Sequence, residues 1–244
     1  MFIEHASLLK GLIYEHIGFE LSDQQVTQFC RFGDLLLEWN QRLNLTRITE
    51  PNEVILKHFI DSMVLSKFIE GKSFADLGTG AGFPGIPLKI LRPELNVVLM
   101  DSLKKRLDFL DLVIDNLGLT GVKTVHARAE DFGRDVRFRG SFDTVSSRAV
   151  ARLPVLLEYA LPTLKMNGLF LAPKGLQAEE ELSEAHKALE IIGGKLERIE
   201  HLNLGEGAEH RAIILIRKTQ ETSSRYPRQA GTPTKRPISR NHCI

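Results

Sequence analysis

The chain has 244 residues, 43% hydrophobic and 26% charged, with 32 basic side chains against 31 acidic ones and a formal net charge of +1. That length suits one large domain or two small ones and supports a core without staples, and the composition excludes collagen-like, disulfide-framework and disordered classes. Whole-chain neutrality argues against a global electrostatic footprint for nucleic acid or an anionic membrane. Cys30 and Cys243 lie far apart, and neither they nor His126, His201 and His210 have metal-ligand spacing, so no metal and a reducing compartment are expected. The start, Met1–His5, has Glu4 where a secretory leader carries Lys or Arg, and nowhere do 18 apolar residues run together. A cytoplasmic protein without a membrane span is expected.

Residues 1–70 read as helical, with Leu8, Leu9, Leu12, Ile13 and Ile17, then Val26, Phe29, Cys30, Phe32, Leu36 and Leu37 at helical spacing. Ser22-Asp23 suits an N-cap for the second run, and Pro51 opens a third helix after a polar loop at 39–49. From Ser73 the pattern becomes short apolar runs alternating with amphipathic stretches. Strands are expected at Ser73–Leu77, Val97–Asp101, Lys123–His126, Phe142–Ser146 and Leu169–Ala172, with helices at 84–92, 103–117, 150–165 and 177–193. Such alternation predicts βαβ units and a parallel sheet covered on both faces. Glu197–Leu204 and His210–Arg217, joined by Gly205-Glu206-Gly207, predict a closing antiparallel hairpin. The fold class is thus α/β, a seven-stranded doubly wound sheet with an antiparallel last strand, preceded by a helical N-terminal region. The domain division expected is 1–70, 71–218 and a basic, Pro-containing tail at 219–244 that reads as linker-like.

The most informative stretch is Asp76-Leu77-Gly78-Thr79-Gly80-Ala81-Gly82-Phe83-Pro84-Gly85, where a strand runs into glycines and then a helix that Pro84 suits. A plain strand-to-helix turn is the alternative, but three glycines at alternate positions point to a ligand. A dinucleotide loop would place its third glycine at Phe83, and Asp76 would oppose a pyrophosphate. S-adenosylmethionine, with an ammonium group and no phosphate, suits Asp76, Gly78, Gly80 and Gly82 better. Asp101, 23 residues after Gly78, is placed to accept from ribose hydroxyls, a role that coexists with capping the next helix. Ala129 and Glu130 follow the third strand, where the adenine is expected. No Asn/Asp-Pro-Pro-Tyr/Phe follows the fourth strand; Val145-Ser146-Ser147-Arg148-Ala149 stands there instead, which sets aside exocyclic-amine methylation of bases.

Residues 74–88, Asp101-Ser102 through Arg106, Ala129-Glu130 and Ser147-Arg148-Ala149 resemble the bacterial 16S ribosomal RNA guanine-N(7) methyltransferases, the glucose-inhibited division protein B or RsmG family. Trp39-Asn40, Asn44-Leu45-Thr46, residues 57–62, Ala172-Pro173-Lys174-Gly175 and much of the tail from Tyr226 to Ile238 are similar to that family too. The resemblance covers nearly the whole chain and implies a class I methyltransferase (Rossmann-like) sheet. It implies S-adenosyl-L-methionine as cofactor and one guanine of small-subunit (16S) ribosomal RNA, naked or within the small subunit, as substrate. Gly78, Phe83, Ala129-Glu130 and Arg148 are the matching cofactor positions; Asp76, Gly80, Gly82 and Asp101 come from the loop argument. Asn241 to Ile244 match no pattern of the family.

Guanine nitrogen-7 carries a lone pair and no proton, so no residue is assigned as acid or base. Arg148 is the candidate for positioning the guanine or touching the cofactor carboxylate, with an ordinary surface salt bridge as the other reading. His58 and Asp61, three apart on one helix face, read either as a hydrogen-bonded floor or as RNA-facing, and Asn44 is equally open. By segment, 219–244 carries five basic side chains against Glu221, and Lys104-Lys105-Arg106 and Arg134, Arg137 and Arg139 add local basic runs. Such patches suit RNA; the tail, which combines Tyr226 with basic residues and prolines, is expected to dock RNA or to cover the active-site mouth, and a monomer is expected. A non-catalytic cofactor-binding regulator, or a methyltransferase acting on a small molecule or protein, remains compatible with the fold.

Overall fold

The computed structural model describes residues 1–204 and 211–239. The expected turn at Gly205–Gly207, His210 and residues 240–244, Cys243 among them, lie outside the described residues. After a 3-10 turn at Phe2–His5, α1 (Ala6–Ile17) ends on Gly18 in the left-handed region, φ 73°. Helix α2 (Asp23–Leu43) starts with a capping box. Ser22 Oγ accepts from the Gln25 amide at 3.3 Å while Gln25 Oε1 accepts from the Ser22 amide at 3.0 Å. Asn44 stops this helix with φ 48°, a conformation Asn tolerates better than most residues. The expected third helix is one helical run with three geometries: α3 (Pro51–Val54), a π-helical stretch Ile55–Ile60, then α4 (Asp61–Met63) leading into a 3-10 turn Val64–Phe68. Widened turns of this kind re-aim side chains, and this one carries Lys57 and His58.

The sheet runs β3-β2-β1-β4-β5-β7-β6, from β1 (Ser73–Leu77), β2 (Asn96–Asp101), β3 (Val122–His126), β4 (Phe142–Ser146), β5 (Leu164–Lys174), β6 (Gly194–Leu202) and β7 (Arg211–Lys218). Strands β1 to β5 pair parallel, and β7 is antiparallel to both β5 and β6. The hairpin expectation holds in its pairing, and the structure adds its placement: β7 enters between β5 and β6, which leaves β6 at the edge. The helices are α5 (Gly85–Leu91), α6 (Lys104–Leu117), α7 (Ala129–Arg134), α8 (Leu153–Ala160), α9 (Ala178–Ile192) and the single turn α10 (Thr232–Lys235). Helix α8 is shorter than the 150–165 expected and β5 longer than 169–172, because Pro162 cannot continue the helix.

Both sheet faces are covered, with period-2 alternation sorting the strand residues. Phe74, Val97, Leu99, Ile213 and Leu215 face a core shared with α2, α5 and α6; Ala75, Val98, Met100, Ile214 and Ile216 face one shared with α8 and α9. The N-terminal helices therefore thicken one flank. Residues 219–239, read from sequence as a loose tail, pack on the opposite flank: Tyr226 is buried and Ile238 is 1% exposed. Helix α10 and the segment before it are held by side chains of α7 and α8, contacts too distant in sequence for periodicity to show.

Candidate active site

The ligand crevice of a doubly wound sheet lies beyond the carboxyl ends of the strands, at the switch between β1 and β4. Here the glycine loop turns over the end of β2. The amides of Gly78 and Thr79 donate to Met100 O at 2.8 and 2.9 Å, Gly80 to Asp101 Oδ2 at 3.0 Å, and Gly82 and Phe83 to Thr79 O at 2.9 and 3.1 Å. Those donors are spent within the protein, so the loop offers no nest of free amides for a phosphate. Gly78, Gly80 and Gly82 all take positive φ, of 72°, 59° and 97°. Gly85 permits the close helix-on-strand packing, since a Cβ there would lie 2.2 Å from Leu99 Cδ2.

Asp76 is fully buried. Its Oδ2 accepts from Thr79 Oγ1 at 2.7 Å and from the Gly85 amide at 2.9 Å, while Oδ1 has no protein partner, and burial pushes the carboxyl up to about 6. The carboxylate expected beside an ammonium thus braces the loop from behind and lines none of the three cavities at this end of the sheet. Asp101 is buried with Oδ1 on the Leu103 amide at 2.8 Å and Oδ2 on Gly80 and, at 3.3 Å, Arg106 Nη1, so it shapes the turn that leads into α6 and walls a cavity at once.

That first cavity, about 380 Å³, runs between Gly78, Asp101, Ala129 and Glu130. A second of about 200 Å³ continues along Gly80 and Phe83 to Arg148; Gly78, Arg106 and Ala149 line both. The third, about 600 Å³, opens beyond Arg148 and Ala149 and is lined by Lys57, Arg152, Lys174 and Arg211 as well as Asp61. Ala149 borders all three with φ 57°, an uncommon conformation for a residue with a Cβ.

Arg148 is not a surface salt bridge. Its Nη1 donates to Asp61 Oδ2 at 2.6 Å and its Nη2 to His58 Nδ1 at 3.1 Å, and its guanidinium lies 5.5 Å from the Phe83 ring centroid. Asp61 also accepts from Arg211 Nε at 3.0 Å. His58 stacks on Phe83 at 4.6 Å and its Nε2 meets Thr46 Oγ1 at 2.7 Å. Because Nδ1 accepts from Arg148, the neutral tautomer carries its hydrogen on Nε2 and donates to Thr46. Burial, then the adjacent Arg148, holds His58 down to about 4. His58 and Asp61 are thus joined through Arg148, and Asn44 serves as the helix stop before Thr46.

The structure gathers Gly78, Gly80, Phe83, Asp101, Ala129, Glu130 and Arg148 along one continuous cleft, leaves Asp76 behind it, and puts Gly82 in packing contact distance of Ile86 and Leu110 rather than of the cavity. It adds Thr46, Lys57, Arg211, Tyr159, Gly231 and Thr234, which sequence reasoning did not single out as site residues; a polar residue in an otherwise apolar helical or strand run was the available signal for Arg211 and Tyr159. The residues fit S-adenosylmethionine: an elongated cleft, no amide nest for phosphate, open space at Gly80, and carboxylates at one end. One of the expected RNA patches is occupied instead, with Arg134 and Arg139 on backbone carbonyls of Pro227 and Tyr226, and Arg137 on Asp135.

Fold and site together define a class I S-adenosylmethionine-dependent methyltransferase. Among solved structures, a SAM-dependent methyltransferase from Aquifex aeolicus is 18% identical with a TM-score of 0.55, covering 72% of this chain and 97% of its own, a likeness of fold. The family model for rRNA small subunit methyltransferase G (GidB) matches residues 25–213. Ribosomal RNA small subunit methyltransferase G of Desulfitobacterium hafniense is 59% identical over 238 residues, 98% of this chain and 100% of that one. The Lactobacillus acidophilus enzyme of the same name is 52% identical over 226 residues, 91% and 94% of the two chains. The chain belongs to the rRNA small subunit methyltransferase G family.

Proposed function

We propose that this protein transfers the methyl group of S-adenosylmethionine to nitrogen-7 of a guanine in 16S ribosomal RNA. One observation supports the acceptor chemistry: among the described residues, neither titratable group held against Arg148, His58 or Asp61, is free to take a proton from the base. His58 is neutral with both ring nitrogens engaged, and Asp61 is clasped by two guanidiniums. An in-plane nitrogen lone pair needs no deprotonation, whereas an exocyclic amine loses a proton in the course of transfer.

When bound, the cofactor supplies an activated methyl on a sulfonium; this chain supplies placement. Asp101, Glu130 and Ala129 would hold the adenosine end, and the open space beside Gly78 and Gly80 would take the amino-acid end. Arg148, fixed by Asp61 and His58, stands between the cofactor cleft and the basic cavity, where it orients the incoming base. In-line alignment is the main demand of such a displacement, and orientation supplies on the order of 7–11 kcal/mol in the best intramolecular cases. In the lining of the larger cavity Lys57, Arg148, Arg152, Lys174 and Arg211 outnumber Asp61 and Glu181, and although each of these cations is already ion-paired, the excess of positive charge suits phosphates that flank the base.

This reading includes a monomeric enzyme working in the cytoplasm on naked RNA or the small subunit; no helix among the described residues is long and apolar enough to cross a membrane. Its test is transfer of labelled methyl to 16S ribosomal RNA, free and in small subunits, with chain scission at 7-methylguanine to map the base. Label confined to protein or to an exocyclic nitrogen would overturn it. S-adenosylhomocysteine should raise the melting temperature where NAD does not.

A further inference from the structure

We propose that the C-terminal segment 226–238 is a structural wall of the cofactor site, with Gly231 and Thr234 contacting the adenine nucleoside moiety, so that cofactor binding and docking of this segment are coupled. This deepens the cofactor reading above and rests on it.

Both residues line the 380 Å³ cavity, together with Asp101, Ala129 and Glu130. The carboxylate expected at the adenine is itself tied to the segment. Glu130 Oε1 accepts the Gly231 amide at 2.7 Å and the Tyr159 hydroxyl at 3.2 Å, and that hydroxyl lies 3.2 Å from Thr234 Oγ1. The anchor lies a few residues earlier. Glu158 is 0% exposed and receives the Arg228 amide at 2.6 Å, Nε at 2.9 Å and Nη2 at 2.7 Å. Pro227 sits on Gly133 of α7, where a Cβ would come within 2.6 Å of Pro227 Cγ, and Arg134 and Arg139 clasp the carbonyls of Pro227 and Tyr226 at 2.6 and 2.7 Å.

A buried carboxylate paired bidentately is costly to leave alone. Undocking the segment strands Glu158 and removes one side of the cavity in the same step. A ligand that touches Gly231 and Thr234 binds only the docked form and therefore stabilises it by mass action. The basic residues that sequence assigns to RNA divide accordingly: Arg228 is consumed by Glu158, while Arg225, Lys235 and Arg236 are exposed.

The experiment uses the full chain and S-adenosylhomocysteine. Trypsin reports docking through cleavage after Arg225 and Lys235, sites that the wild type and the variants share, and calorimetry reports affinity. The variants are Arg228→Gln with Glu158→Gln, which removes both buried charges together, and Thr234→Val. Saturating S-adenosylhomocysteine should slow cleavage at these sites by about ten-fold in the wild type, the double variant should bind it about ten-fold more weakly, and Thr234→Val a few-fold more weakly. If the wild type binds the ligand while cleavage is unchanged, or if affinity survives in a double variant whose segment is cut rapidly, the coupling is refuted and the segment is a structural or RNA-facing clasp. If the double variant fails to fold, wild-type protection and Thr234→Val still decide. No binding by the wild type would overturn the cofactor reading and this proposal with it.

Discussion

Two glycines two residues apart in the loop should respond to alanine differently, one mainly in binding and the other mainly in stability. At Gly80, φ is 59° and a Cβ meets nothing within 4 Å, so Gly80→Ala suffers the left-handed penalty alone, about 1–2 kcal/mol. For a chain of this size that lowers the melting temperature by about 2–8 °C. The new methyl projects into open space beside the cleft, so, on the proposed function, affinity for S-adenosylhomocysteine should fall by about ten-fold or more. At Gly82, φ is 97° and a Cβ would lie 2.8 Å from Ile86 Cγ1 and 2.9 Å from Leu110 Cδ2. Gly82→Ala adds overpacking of about 1–3 kcal/mol to the same strain, a total of about 2–5 kcal/mol. Its melting temperature should drop by about 4–20 °C, with binding impaired only as far as the loop is displaced. Scanning calorimetry and ligand titration on both variants read the contrast. Should Gly80→Ala be as unstable as Gly82→Ala, or bind like wild type, the assignment of Gly80 to the cleft and Gly82 to the core is wrong.

Asp61→Ala leaves Arg148 and Arg211 without their shared partner, and urea unfolding should show a loss of about 3–5 kcal/mol, much less when Arg148→Met is combined with it. His58 and Asp76 give opposing pH dependences. His58, held at about 4 against 6.5 unfolded, withholds a proton that the unfolded chain takes up, so its contribution costs about 3 kcal/mol progressively as pH falls from 6.5 to 4. Asp76, raised to about 6 from 3.8, contributes stability that is present below 3.8 and lost as pH rises through 6. Denaturation at several pH values should therefore show His58→Gln gaining, relative to wild type, toward pH 4, and Asp76→Asn losing ground there; parallel profiles would contradict both. Replacing Lys57 or Arg152 by Gln should lower the salt slope of RNA binding by about 0.7 each, measured by filter binding, while S-adenosylhomocysteine affinity is unchanged.

The expected strands β1 to β4 match the structure to within two residues at each end: β1, β2 and β4 are short runs ended by Gly, Asp or Ser, and β3 is marked by the β-branched residues Val122, Thr124 and Val125. The order of the last two strands was also written in the residues. Ala212-Ile213-Ile214-Leu215-Ile216 is apolar on both faces, as an interior strand must be, whereas Lys195, Glu197, Arg198 and Glu200 stud β6 with the charges that protect an edge. How the tail is anchored was not legible, because its anchors are single residues: one Tyr, one Ile and one Arg–Glu pair leave no periodicity to detect.

By itself the sequence determined the alternating α/β architecture, the glycine loop at the end of β1, the absence of a third glycine at Phe83, and the acids at the end of β2 and after β3. These depend on neighbours within a few residues, on φ values only glycine accepts and on patterns of two and 3.6. Tertiary structure alone decided which charges meet. Arg148 finds Asp61 across 87 residues and Arg211 finds the same carboxylate across 150, while Asp76, facing the loop from within, became a brace. Pairing of buried charges is settled by desolvation, which is a property of the packed interior and not of any local stretch of chain.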